Sequence, residues 1–284
     1  MYYFFFFPFS GWEQPDWYSV DPTQKPEYKP SFGRTNWFEA MQKEYSLVSE
    51  KVGLIDLTPF AKIKVSGVEA RAYLDFLLSG TVPKVGRTTL AHALTVGGKV
   101  MAEFTVTGLE ESNTFMVVTG SGVELHDLRH MEEVAREGNY NVQIENVTDD
   151  LGVLSVAGPL SGHVFAKALE NQDLVDQWKF LDAKKCNLGG VECLAVRISY
   201  TGELGWEFYM PRNQMKPVYD ALMNSGREYG IGHFGTFVVN TFRLVRYFFL
   251  HNFRAATRGK TGRIKGCGLV YQKSTVAVLN FLLQ

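Results

Sequence analysis

Hydrophobic and polar positions along this chain switch between a two-residue and a helical period. At Ala61 to Ser66, Ile63 and Val65 alternate with Lys62 and Lys64, the pattern of a strand with one wet face, and Gly67 ends it. A helix is predicted from there to about Leu78, with Val68, Ala72 and Phe76 on one stripe. Three strand-like runs follow, Thr89 to Val96, Val100 to Thr107 and Thr114 to Thr119. Gly97-Gly98-Lys99 and the polar Glu110 to Asn113 join them, and both links are short enough for antiparallel hairpins. Val123 to Glu137 spaces Leu125, Leu128 and Met131 for one helix face, and Gly138 stops it.

The periods then repeat. Strands are expected at Val142 to Val147 and Gly152 to Ala157, and a helix near Pro159, where proline suits a first turn. Val191 to Ser199 and Trp206 to Met210 read as a sharply turned hairpin. A helix capped by Asn213 follows, with Met215, Val218, Leu222 and Met223 on one face and Gly230 at its end; another begins near Gly235. Many strand connections are too short for parallel crossovers, so the fold class is mixed α+β, with two similar lobes near 61–137 and 142–230. Residues 11–36, rich in Pro, Gly and aromatics without a sustained period, read as an extended segment lying over a surface rather than as a strand.

Composition narrows the partners. The 284 residues, 45% hydrophobic, are enough to bury a sizeable core, and a net charge of -1 gives no reason to expect nucleic acid or an acidic membrane. The charge is uneven: residues 246–284 hold seven Lys or Arg and no Asp or Glu, so the first 245 carry a net -8. Cys186, Cys193 and Cys267 make no Cys-x-x-Cys pair and fit a reducing compartment. The apolar start, Met-Tyr-Tyr-Phe-Phe-Phe-Phe-Pro-Phe, is too short to span a bilayer and lacks the features of a signal or transit peptide.

Several motifs fall short. Thr119-Gly120-Ser121-Gly122 follows a strand and opens a helix, but Leu125 occupies the third glycine position of a dinucleotide turn, so it reads as a tight turn. His126 and His130 have zincin spacing, yet Asp127 stands where that motif needs Glu, and no metal is expected. His92 and His163 are read as structural. Glu207 faces opposite to Trp206 and Phe208 on its strand; it is either a solvated strand residue or a carboxylate placed to accept two parallel hydrogen bonds from a planar ligand, and the pattern leaves both open.

The run Arg197-Ile-Ser-Tyr-Thr-Gly-Glu-Leu-Gly-Trp-Glu resembles the hairpin of the glycine-cleavage aminomethyltransferases and of the folate domains in dimethylglycine and sarcosine dehydrogenases. Further blocks resemble the dimethylglycine branch in order: Trp12-Glu-Gln-Pro-Asp-Trp-Tyr, Thr35-Asn-Trp-Phe-Glu, Pro83-Lys-Val-Gly, Glu124-Leu-His-Asp-Leu-Arg, Leu151-Gly-Val-Leu-Ser-Val-Ala-Gly-Pro and Phe234-Gly-Thr-Phe. The resemblance implies an aminomethyltransferase-like fold and a tetrahydrofolate ligand, or its polyglutamate. It places the pterin-binding carboxylate on Glu207, the accompanying tyrosine on Tyr200, a pocket contact on Val117 and the catalytic acid on Glu103, across a one-residue gap. FAD is expected only in a flavin region ahead of Trp12 that this chain lacks, so oxidation of dimethylglycine is not expected of this chain alone. A mitochondrial matrix location is implied in the same way.

The resemblance ends at Asn240-Thr-Phe-Arg-Leu, where Val245 replaces the family's Glu. Expected domains are therefore 1–36 as a junction segment, 37–245 as the folate-binding domain, and 246–284 as a basic tail outside the family structure. Two other functions compete with a one-carbon-accepting enzyme part: a noncatalytic binding or regulatory module, and a stand-alone aminomethyltransferase.

Overall fold

The computed structural model describes residues 4–9, 11–19, 21, 23, 27–169 and 175–245. The basic tail and Cys267 lie outside the described residues. The N-terminal segment holds a correction: β1 (Phe4–Phe9) and β2 (Trp12–Tyr18) form an antiparallel ribbon, so part of the expected extended segment is a true strand. Trp17 is buried, and Glu44 of α1 (Phe38–Glu50) clamps the ribbon's end. Its Oε1 accepts from the Tyr18 backbone N–H at 2.6 Å and its Oε2 from that of Gly235 at 2.8 Å. Only glycine fits at 235, since a Cβ there would lie 2.2 Å from the Asp16 carbonyl oxygen.

The first lobe holds β4 (Ala61–Ser66), α2 (Ala70–Leu77), β5 (Leu78–Ser79), β6 (Thr88–Leu94), β7 (Val100–Gly108), β8 (Thr114–Thr119), α3 (Glu124–Glu137) and β9 (Gln143–Asn146). Its sheet runs β5-β6-β7-β8-β4-β9, antiparallel throughout. The second lobe takes β3 (Gly53–Asp56) from ahead of the first. It continues with β10 (Leu151–Ala157), α4 (Ser161–Ala168), β11 (Ala183–Leu188), β12 (Val191–Val196), β13 (Gly205–Pro211), α5 (Met215–Gly226) and β14 (Gly232–His233). Its sheet order is β11-β12-β13-β10-β3-β14, with only β14 parallel to its neighbour. A last helix, α6, spans 236–245.

The expected mixed α+β fold with two similar lobes is what forms. In each lobe a run of consecutive strands lies to one side of one strand, β5 to β8 beside β4 and β11 to β13 beside β10. The lobes differ at the other side. There β9 pairs with β4 inside its own lobe, whereas β10 pairs with β3 from the preceding segment, and β14 is displaced outward onto β3.

Each sheet buries one face under its own helices. Tyr73, Leu74 and Leu77 of α2 meet Phe104, Phe115 and Val117, while Val164, Phe165, Val218 and Leu222 of α4 and α5 meet Trp206 and Phe208. Full burial of each such side chain stabilises by about 1.5–3 kcal/mol. The inner faces of the two sheets meet around Ile55, Leu57, Met116, Val153, Ile198 and Tyr209, closed by Phe234, Val238 and Phe242 at α6.

Two sequence patterns change meaning in this packing. The α2 stripe is rotated: Val68 and Phe76 are 74% and 69% exposed, because Tyr73, Leu74 and Leu77 present the larger apolar face and Tyr73 Oη also donates to the Met131 carbonyl at 2.7 Å. Lys62 is not on a wet face. It points toward the second lobe and is fully buried, its Nζ donating to the Thr58 carbonyl at 2.7 Å, and burial pushes its ammonium down to about 8.

Candidate functional site

The inner faces of the two lobes diverge at one end and leave a cavity of about 770 Å³. One wall comes from β6, β7 and the end of β8, with His92, Glu103 and Val118. The other comes from β10, β13 and the loop before it, with Val153, Tyr200, Glu207 and Tyr209, and Arg243 of α6 closes the rim. That loop is longer than the sharp hairpin predicted. β12 ends at Val196, paired with Glu207, and 197–204 lie outside both strands, with Gly202 at φ +75°, a left-handed conformation that favours glycine. The loop delivers Tyr200 to the cavity, which a tight turn would have carried away.

Glu207 settles the choice left by the pattern against a solvated residue. It is 5% exposed on the central strand β13, between Ser155 of β10 and Val196 of β12. Tyr209 lies two residues on, hence on the same face, and its hydroxyl donates to Glu207 Oε2 at 2.7 Å. Oε1 has no protein donor among the described residues. Burial pushes the carboxyl up to about 7, and the Tyr209 hydrogen bond opposes that rise. Burial and the adjacent Glu207 charge raise the Tyr209 hydroxyl well above its ordinary value.

Tyr200 is 38% exposed, its ring 5.1 Å from that of Phe60, with the Arg243 guanidinium 5.3 Å from its centre. Burial, then the Glu207 charge, raises its hydroxyl; Arg243 pulls the other way. Glu103 stands on the opposite wall, directly across from His92 in register, with Oε1 3.2 Å from His92 Nε2 and its side chain 76% exposed. At the end of β8, buried Asp127 accepts from Thr119 Oγ1 at 2.6 Å, and its other oxygen lies 2.8 Å from His126 Nδ1. The Thr119 to Asp127 hydrogen bond ties the start of α3 to the end of β8, and His126 lies against the same carboxylate.

Glu103, Tyr200 and Glu207 therefore share one cavity, although the last two lie 97 and 104 positions along the chain from the first. Val117 does not join them. It is fully buried on the helix side of the first sheet, and strand alternation places Val118 on the cavity wall instead. The sequence reading also missed Tyr209, Phe60 and Arg243. The two-residue period after Glu207 marked Tyr209; nothing local marked Phe60 or Arg243, which tertiary packing brings in from 147 and 36 residues away.

Chemically, the cavity pairs a buried, half-satisfied carboxylate with an aromatic side wall. A second acid and an imidazole stand across from them. This arrangement suits a flat ligand that offers paired N–H donors.

Comparison with known proteins agrees with this architecture. Mitochondrial dimethylglycine dehydrogenases of Mus musculus and Homo sapiens are each 48% identical over 240 residues, which is 84% of this chain and 27% of theirs. The chain thus spans about a quarter of the length of these relatives. An aminomethyltransferase of Caldanaerobacter subterraneus is 31% identical over 209 residues, covering 72% of this chain and 54% of its own. The structure of glycine cleavage system aminomethyltransferase T from Bartonella henselae superposes with a TM-score of 0.68 at 21% identity, over 85% of this chain and 58% of that one, a likeness of fold. The profile described as the GCVT N-terminal domain matches residues 4–253, and the chain belongs to that family.

Proposed function

We propose that the inter-lobe cavity binds tetrahydrofolate and that the chain is the one-carbon-accepting part of a dimethylglycine dehydrogenase-like enzyme. One observation carries the reading: a carboxylate buried at the cavity wall whose Oε1 has no protein donor. Such a group is costly unless a ligand or water in the cavity completes its hydrogen bonds. The 2-amino group and neighbouring ring N–H of a pterin do so as a parallel pair, since Oε2 keeps a lone pair beside the one Tyr209 occupies. Phe60 and Tyr200 flank the ring, and a volume of about 770 Å³ lies within the range of small-molecule sites.

Tetrahydrofolate, when bound, supplies the nitrogens that take up a one-carbon unit. Glu103 and His92 hold and move a proton on the facing wall, and Glu103 carries negative charge toward a cationic donor. Oxidation with FAD is no part of this proposal, and the mitochondrial location named for the similar dehydrogenases is extended to this chain with it. One feature favours a noncatalytic folate-binding module instead: Glu103 is three-quarters exposed, little desolvated for an acid that must transfer protons.

Titration of the protein with tetrahydrofolate decides binding. Wild type should saturate, and Glu207→Ala should lose on the order of 10–100-fold in affinity, the worth of one or two charged hydrogen bonds. Absence of saturable binding in wild type refutes the reading. Glu103→Gln tests the acid: slowed methylene transfer with binding retained supports catalysis through Glu103, an unchanged rate removes Glu103 from the mechanism, and saturable binding without any transfer in wild type supports the noncatalytic module.

A further inference from the structure

A carboxylate that is to accept two N–H donors at once needs a fixed orientation and a negative charge, and the cavity works against both. Glu207 is held on β13 by its backbone alone, with two free side-chain torsions beyond Cβ, and burial disfavours its ionised form. One side-chain donor reaches it. Tyr209 is the next residue on the same face of the strand, and its own position is fixed from both sides, by Val153 across β10 and Leu194 across β12. The ring is buried among the residues between the two sheets, and its hydroxyl cannot turn elsewhere without leaving that packing.

We propose that Tyr209 is the positioning residue of this site: its hydroxyl, 2.7 Å from Glu207 Oε2, holds the carboxylate with Oε1 free toward the cavity and keeps it ionised for a paired-donor ligand. This rests on the folate reading only for the identity of that ligand. The other ionisable groups facing the cavity are Tyr200 from the 197–204 loop, Arg243 from α6, His92 and Glu103 from β6 and β7, and Asp127 from α3. Arg243 packs on Tyr200 and Asp127 is satisfied by Thr119 and His126, so neither replaces the Tyr209 bond.

Tyr209→Phe tests it, because the ring and its packing stay and only the donor leaves. Glutamate labelled with ¹³C at the carboxyl lets the Glu207 resonance be titrated without ligand, assigned by its loss in Glu207→Gln. In Tyr209→Phe its midpoint should rise by about one pH unit, the worth of a hydrogen bond to a charged group. Tetrahydrofolate affinity at pH 7 should fall about tenfold and recover toward pH 9 as the carboxylate ionises. In a Glu207→Ala background, which leaves nothing for the hydroxyl to position, the same change should have no further effect on affinity, an outcome that a merely structural tyrosine would not give. An unmoved Glu207 midpoint in Tyr209→Phe, with a wild-type circular dichroism spectrum, overturns the proposal. A moved midpoint in a protein that binds no tetrahydrofolate upholds Tyr209 and overturns the folate reading instead.

Discussion

Glu207→Gln should make the protein more stable at alkaline pH while weakening ligand binding. Burial raises the Glu207 carboxyl from 4.5 to about 7, so the folded state holds its proton more tightly than the unfolded chain does. The sign follows: the protonated side chain costs nothing extra below pH 4.5, and stability is lost as pH rises through 7. With about 1.4 kcal/mol per pH unit, the ionised carboxylate costs about 3 kcal/mol at pH 8 and less than about 1 kcal/mol at pH 5. Gln has the same shape, its amide oxygen accepts from Tyr209, and it carries no charge, so this cost disappears. Urea unfolding of both proteins across pH 5–8 measures it, since every other titrating group is common to the pair and cancels in the difference. A stability difference that stays flat with pH, or a less stable variant at pH 8, refutes the reasoning. A gain at pH 8 bought by lost affinity is the signature of a group kept for binding rather than for folding.

Lys62→Met should behave as the basic counterpart. The buried ammonium is depressed from 10.5 to about 8, so the stability it withholds is restored only above pH 10.5; the variant should gain up to about 3 kcal/mol at pH 7, shrinking toward zero as pH climbs past 8. Glu44→Ala strips the acceptor from two backbone N–H groups and should cost about 2–4 kcal/mol, with hydrogen exchange accelerating first at Tyr18 and Gly235; unchanged exchange there would exclude the clamp. Val118→Trp should obstruct the cavity and block tetrahydrofolate with the fold intact, while Val117→Ala should cost about 1–3 kcal/mol in urea unfolding and leave affinity alone; the reverse pattern would restore Val117 to the pocket.

Strands β4, β6 to β10, β12 and β13 and helices α2 to α6 are legible in the local pattern, because a half-buried sheet or helix writes its period into the sequence; β3, β5, β11, β14 and α1 are not. The failures share a cause. Lys62 looks like a solvent-facing strand residue until the second lobe covers that face, and the Val68–Phe76 stripe is a real helical spacing that belongs to the outer side. β2 escaped detection because Pro15 and a register shift at Asp16 break its alternation, and because its end is held by Glu44 from α1.

Glu207 shows the same division. The sequence by itself determined a carboxylate opposite Trp206 and Phe208, followed at a two-residue interval by Tyr209, since alternation is a property of the extended backbone. Whether that face met water or another sheet was decided only by the closure of two lobes around Ile55, Leu57, Met116 and Val153. Burial is a property of the partner surface, and the partners come from residues 55 to 243. Only that closure gave Glu207 its raised pKa, its cavity, and Glu103 and Arg243 as neighbours.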